Sequence, residues 1–246
     1  MQEVCKRFGG LVVADRITLT LRAGEVLGLI GPNGAGKTTL FHLIAGLLRP
    51  DSGRIRLAGR DVTRLSAHRR ARLGLARTWQ NVGLFPELSV LDNLVLGARR
   101  FFGEYPWQSL LSPRATREGG RRVEERALAL LARIGLERRA HDRVGDLPFG
   151  SQKLVGILRA LMNEGSVLLL DEPMAGVQED VHRQIRALVQ EAAQGGRGVI
   201  LVEHNVGFVR DLCDRALFLS GGAIVAAGTV EELTRDPRLT DIYFGS

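Results

Sequence analysis

The stretch Gly31-Pro32-Asn33-Gly34-Ala35-Gly36-Lys37-Thr38 restricts the fold of this chain more than any other. It follows an apolar run, Val26-Leu27-Gly28-Leu29-Ile30, and precedes Leu40, Leu43, Ile44 and Leu47, whose i, i+3, i+4, i+7 spacing places them on one helix face. A buried strand, a glycine-rich turn and a helix thus come in the order that a phosphate-binding loop requires. Gly31, Gly34 and Gly36 free the backbone to curl its N–H groups round an anion. The helix N-terminus adds partial positive charge and Lys37 adds a full one. The motif implies a bound nucleoside triphosphate, with Asn33 and Thr39 among the contacting residues and the Thr38 hydroxyl directed at Mg²⁺.

The 246 residues suffice for one large domain, or for a domain carrying an inserted subdomain. No apolar stretch approaches the roughly 18 residues that cross a bilayer. The start, Met1-Gln2-Glu3-Val4-Cys5-Lys6-Arg7, has no signal-like apolar core, so a cytoplasmic location is expected. Cys5 and Cys213 are far apart without metal-ligand spacing, which fits a reducing compartment. The formal charge of +7 suits an anionic partner, yet clusters such as His68-Arg69-Arg70-Ala71-Arg72 equally suit a solvated face. Charge alone selects no partner.

Alternation over Ile17–Leu21 predicts an antiparallel lead-in to the buried strand, and Arg54-Ile55-Arg56-Leu57 a further short strand. A strand ends near Gln80, and Ser89 with Asp92 resembles a capping box opening a helix. Residues 100–140, rich in Arg, Glu, Ala and Leu, read as an inserted helical region. The second half alternates strand and helix, which argues for a mostly parallel sheet covered by helices, followed by a hairpin around Gly221-Gly222 and a helix capped by Thr229 and Glu232. The expected fold is α/β: a nucleotide-binding core with a mostly parallel sheet, N-terminal antiparallel strands and an inserted helical subdomain. Residues 1–80 and 163–246 would form the core and 81–162 the subdomain.

Val167-Leu168-Leu169-Leu170 is an apolar strand delivering Asp171 and Glu172 at its C-terminal end, where ligands of open α/β sheets bind. Asp171 suits the Mg²⁺ shell, and Glu172 suits proton abstraction from a water attacking the γ-phosphate. Leu147-Pro148-Phe149-Gly150-Ser151-Gln152-Lys153 opens a helix whose Leu154, Ile157, Leu158, Leu161 and Met162 form a core stripe. The helix start at Gly150 offers N–H groups to an anion, a weak signal taken alone.

Taken in order, Gly31–Thr38, Gln80, Leu147–Gln152, Asp171-Glu172 and His204 resemble the ATP-binding subunit of ABC transporters over nearly the whole chain. The Lys6-Arg7-Phe8-Gly9-Gly10 start, Ala76-Arg77-Thr78-Trp79-Gln80 and Glu203-His204-Asn205 look most like the ATPases of branched-chain amino acid importers. The resemblance implies ATP and Mg²⁺ as cofactors. It implies that Phe8 stacks on adenine, that Lys37 holds the β and γ phosphates, and that Thr38, Gln80 and Asp171 complete the Mg²⁺ site. Glu172 would be the general base, and His204 would sense the γ-phosphate. Gly150 and Ser151 would face the nucleotide of a second, identical or related ATPase subunit.

The same resemblance implies a peripheral location on the inner face of the membrane, beside transmembrane permease subunits and, indirectly, an external solute-binding protein. Apolar Val82, Leu84, Phe85 and Leu88 suit a groove for a permease helix. The stretch between Gln80 and Leu147 is too short for a long coiled-coil arm, so no nucleic acid partner is expected.

Several positions depart from the family pattern. Pro148 stands where a serine is usual, Ser151 where glutamine is usual, and Gln178 in the loop that crosses the dimer. Gly156 is expected off the apolar stripe, weakening its helix by about 1 kcal/mol relative to Ala. Two further readings stay open beside the importer: a nucleotide-binding regulatory module of low turnover, and the ATPase of a lipopolysaccharide-type exporter, whose Ala175-Gly176-Val177 and His204-Asn205-Val206 flavour this chain shares.

Overall fold

The computed structural model describes residues 1–78, 83–99 and 113–239. Its centre is a six-stranded sheet of order β11-β10-β3-β9-β8-β7, formed by β3 (Val26–Ile30), β7 (Leu75–Arg77), β8 (Val167–Asp171), β9 (Gly198–Val202), β10 (Arg215–Ser220) and β11 (Ala223–Gly228). Every neighbouring pair is parallel except the β10–β11 hairpin. An antiparallel sheet of β1 (Gln2–Phe8), β2 (Leu11–Ile17) and β4 (Ser52–Arg54) lies beside it, and β5 (Arg56–Leu57) pairs with β6 (Arg60–Asp61). The mixed, mostly parallel α/β fold is the one expected.

Helices cover both faces of the central sheet because its strands carry apolar residues on both sides. Leu27 and Leu29 of β3, Leu169 of β8 and Ile200 of β9 share a core with Leu40, Phe41, Leu43 and Ile44 of α1 (Lys37–Ala45). The alternate residues, Leu168 and Leu170 of β8 with Val199 and Leu201 of β9, pack on the other face. There they meet Leu154 and Leu158 of α5 (Phe149–Met162), Ile185 and Leu188 of α6 (Glu179–Gln194) and Phe208 of α7 (Val206–Leu212). Gly28 lets α7 approach, since a Cβ there would stand 2.7 Å from a Val209 methyl. The helices α2 (Ala67–Arg72), α3 (Val90–Val95), α4 (Pro113–Ala132) and α8 (Val230–Arg235) complete the described set.

Two local expectations need correction. The strand foreseen at Ile17–Leu21 is displaced: β2 ends at Ile17, and Leu19 exchanges hydrogen bonds with Met1 at 2.7 and 3.2 Å. The alternation there reports side-chain burial, with Leu19 only 7% exposed, rather than a full ladder. Leu47 does not join the α1 face, because Gly46 ends that helix in the left-handed conformation and leaves Leu47 43% exposed. Gly156, opposite the apolar stripe of α5, is buried as well, because that helix is covered on nearly every side. Both predicted caps form: the Ser89 hydroxyl accepts from Asp92 N–H, and Thr229 and Glu232 make a reciprocal capping box.

A single arginine secures the far end of α1. Arg70 is fully buried, and its guanidinium donates to the carbonyls of Leu43 (2.6 Å), Ile44 (2.7 Å), Thr63 (3.0 Å) and Leu65 (3.1 Å). Burial pulls its pKa down to about 10, so it remains charged at neutral pH. A cation at a helix C-terminus also complements the helix dipole. Arg70→Met should therefore lower unfolding free energy by about 3 kcal/mol in urea titration, since it strands buried carbonyls; a change within about 0.5 kcal/mol would show those carbonyls to be satisfied otherwise.

Candidate active site at the sheet edge

The parallel order β3-β9-β8 decides which loops meet. Leu29 pairs with Val202, and Val202 pairs with Asp171, so the three strands end level with one another. The glycine-rich loop after β3, Glu203-His204 after β9 and Asp171-Glu172 at the end of β8 consequently share one edge of the sheet. The loop and the carboxylates are far apart in sequence and are brought level by the β3–β9 and β9–β8 ladders.

The loop is moulded against its surroundings. Gly31 adopts φ +147°, and a Cβ on it would lie 2.1 Å from the Leu219 carbonyl oxygen. Gly36 adopts φ +99°, and its Cβ would lie 2.7 Å from the Val13 carbonyl oxygen. Gly222 N–H donates to the Ala35 carbonyl at 3.2 Å, tying the β10–β11 turn to the loop. Lys37, 6% exposed, folds back to donate to the carbonyls of Gly31 (2.6 Å) and Pro32 (2.9 Å). Burial lowers its pKa, and the nearby Glu172 carboxylate opposes that shift. Asn33, Gly34 and Thr38 are exposed and Thr39 is half-buried beside them.

The two carboxylates at the end of β8 have different surroundings. Asp171 is 5% exposed, and burial raises its pKa against the opposing pull of Arg77. Its N–H donates to the Thr78 hydroxyl at 3.2 Å. Glu172 reaches outward, and its Oε1 stands 3.0 Å from His204 Nε2. Glu172 has φ +46°, a left-handed conformation rare for a residue with a side chain. Its N–H donates to the Val202 carbonyl at 2.9 Å, extending the β8–β9 ladder by one residue. Such conformations persist where neighbours over-determine them, and they gather at functional sites.

A buried polar layer lies beneath this pair. Glu203, 4% exposed, accepts from Met174 N–H at 2.7 Å and His204 N–H at 3.1 Å. Burial raises its pKa, and those N–H groups offset part of the rise. Lys153 of α5 donates to the Glu172 carbonyl at 2.9 Å. Sequence reasoning assigns no role to either Lys153 or Glu203. A lysine next to Leu154 and inside an apolar stripe is the available signal for the first.

Gly31, Gly36, Lys37, Glu172 and His204 are thus brought to one edge. Gly150 and Ser151 are half-buried at the start of α5, capped by Pro148 with no side-chain hydrogen bond. Phe8 is 49% exposed, with the Lys6 ammonium over its ring at 5.4 Å from the centroid. Gln80 lies outside the described residues, as does Val82.

A profile of the ABC transporter family matches residues 14–175, which takes in the loop, α5 and both carboxylates. The chain belongs to the ABC transporter family. It is 34% identical over 240 residues to the high-affinity branched-chain amino acid transport ATP-binding protein LivG of Salmonella typhimurium, covering 97% of this chain and 94% of that one. It is also 34% identical to the lipopolysaccharide export system ATP-binding protein LptB of Acidithiobacillus ferridurans, over 99% of this chain and 95% of that one. Among solved structures, the ADP conformation of an ATP-binding cassette of an ABC transporter matches with TM-score 0.85 and 31% identity, covering 100% of this chain and 97% of that one. As an ATP-binding cassette of this family, the chain is an ATPase.

The mould around the loop can be tested directly. Gly31→Ala should lower the melting temperature of the purified chain by several degrees, roughly the effect of 2 kcal/mol in a domain of this size. An unchanged melting curve would mean that the Leu219 carbonyl yields freely.

Proposed function

We propose that the chain is the ATP-hydrolysing subunit of an ABC importer for branched-chain amino acids or related small polar solutes, working as a dimer on the inner face of the cell membrane. The likeness to LivG supports the cargo class. The mechanism rests on one observation above all, the 3.0 Å contact between Glu172 Oε1 and His204 Nε2 beside buried Lys37.

In this reading Phe8 stacks on the adenine, an interaction open to a half-exposed ring. The N–H groups of residues 31–38, with Asn33, Gly34 and Thr39 around them, cradle the phosphates. Lys37 exchanges its loop carbonyls for β- and γ-phosphate oxygens, a stronger charge-assisted bond. Glu172 accepts a proton from the attacking water. His204 aligns Glu172 and the γ-phosphate.

Thr38, Gln80 and Asp171 would hold Mg²⁺. A buried carboxylate at the end of β8 and an exposed hydroxyl at the start of α1 are oxygen donors of the kind a hard cation takes. When bound, Mg²⁺ neutralises charge on the transferring phosphoryl group.

Gly150 and Ser151 of one subunit would close on the nucleotide held by the loop of the other, so hydrolysis requires two subunits. At this helix start Pro148 supplies no hydroxyl, and the trans contact falls to backbone N–H groups and Ser151. The division into a core of residues 1–80 and 163–246 and a helical subdomain of 81–162 belongs to the same reading.

No helix among the described residues is long and apolar enough to cross a membrane. In this reading separate permease subunits carry the solute across. A groove of about 520 Å³ lined by Leu47, Ala71, Phe85, Leu96 and Arg159 fits an apolar permease helix. Phe85 and Leu88 are exposed, at 52% and 38%, while Leu84 packs against the core. An external solute-binding protein would deliver the cargo. The identity to LptB carries a second reading in which the same ATPase serves an exporter.

Glu172→Gln should reduce Mg²⁺-dependent ATP hydrolysis at least about a hundredfold while ATP still binds, because only the proton acceptor is lost. Hydrolysis retained within about threefold would remove Glu172 from the role of base. Phe85→Arg should abolish co-purification with a co-expressed multi-span importer permease without changing hydrolysis by the isolated chain. Co-purification with an export permease instead would select the exporter reading.

A further inference from the structure

Lys153 occupies an environment that an ammonium group rarely tolerates. It sits in the second turn of α5, 8% exposed, with Nζ 5.6 Å from the Phe149 ring centroid. A buried ammonium is costly unless hydrogen-bonded, so the 2.9 Å bond to the Glu172 carbonyl is what permits it there. Glu203 and Glu172 supply negative charge nearby. Lys153 is therefore a strut from α5 to the peptide of Glu172.

That peptide is the one whose conformation sets the direction of the proposed base. Its left-handed φ of +46° turns the Glu172 side chain toward His204. It is gripped on both sides, through N–H by the Val202 carbonyl and through C=O by Lys153, with Ala175 N–H also reaching the same oxygen at 3.3 Å. Buried Glu203 holds the N–H groups of Met174 and His204, so the residues flanking the Glu172–His204 pair are fixed from below. Motion of α5 consequently has a direct route to Glu172.

The two ends of this strut serve different nucleotides. Gly150 and Ser151, in the turn before Lys153, would touch the nucleotide held by the partner subunit, whereas Glu172 serves the nucleotide of its own loop. We infer that Lys153 is a positioning residue that couples the two ATP sites of the dimer, converting the seating of α5 on one nucleotide into the orientation of Glu172 at the other. This inference rests on the dimeric ATPase reading.

The test uses the full chain with Lys153→Met, which keeps the stem and removes the donor, and Lys153→Arg, which keeps a donor. The readouts are affinity for a fluorescent ATP analogue, kcat, KM, and the Hill coefficient for ATP. Lys153→Met should keep analogue affinity and KM within about twofold and lose about tenfold in kcat, the effect of one charge-assisted hydrogen bond. Its Hill coefficient should fall to about 1, and Lys153→Arg should recover most of both losses.

With wild-type cooperativity present, an unchanged kcat and Hill coefficient in Lys153→Met would overturn the coupling. So would a joint fall in affinity, kcat and melting temperature with no recovery in Lys153→Arg, which marks a packing role. A wild-type rate strictly proportional to protein concentration with a Hill coefficient of about 1 would remove the dimer reading, and the coupling with it.

Discussion

The level pairing of β3, β9 and β8 is the constraint on which the site depends. Side chains in parallel strands alternate between faces, so their chemistry can converge only where the strands end. Here Leu29, Val202 and Asp171 lie in register, and the loop, His204 and Glu172 project from the same edge. A slip of one residue in β8 would reverse Leu168, Leu169 and Leu170 between the two cores and carry Asp171 out of the site. The same apolar residues that stabilise the sheet thus fix the geometry of the carboxylates.

Charge buried at this edge has to be matched locally. Lys37 is held by loop carbonyls, Glu203 by backbone N–H groups that include those of Met174 and His204, and Lys153 by the Glu172 carbonyl. Each of these bonds links an ionic side chain to backbone. Backbone partners cannot rotate away as side chains do, so Glu203 and Lys153 brace a frame around the site, on which Lys37 is the member proposed to exchange its carbonyls for phosphate. Glu172 and His204 are the more exposed pair on that frame, with side-chain exposures of 23% and 42%, and so remain open to a reacting molecule.

Much of this is legible in the sequence where local pattern and chemistry agree. Strand, glycine loop and helix around Lys37 can be read because each requires a distinct composition. The Asp171-Glu172 pair can be read because carboxylates at the end of an apolar strand are otherwise unfavourable. What escapes a sequence reading depends on tertiary contacts. Arg70 resembles part of a solvated basic run, yet it is fully buried because four carbonyls from α1 and the segment after β6 converge on it. Lys153 stands against the apolar stripe of its helix, but the partner that lets a charge be buried there, the Glu172 carbonyl, is visible only in the fold. Gly156 lies opposite the apolar stripe of its helix, and its burial follows from neighbours that cover α5 on nearly every side.

The loop, the carboxylates and the α5 start are proposed to act together on ATP across two subunits. A crystal structure of the Glu172→Gln chain grown with Mg²⁺ and ATP tests this most directly. Two chains should enclose two nucleotides, with Lys37 on the β- and γ-phosphates, the substituted side chain and His204 beside the γ-phosphate, and Gly150 and Ser151 of the other chain closing the site. ATP bound away from residues 31–38, or held there with the α5 start of every neighbouring chain remote from it, would contradict the account.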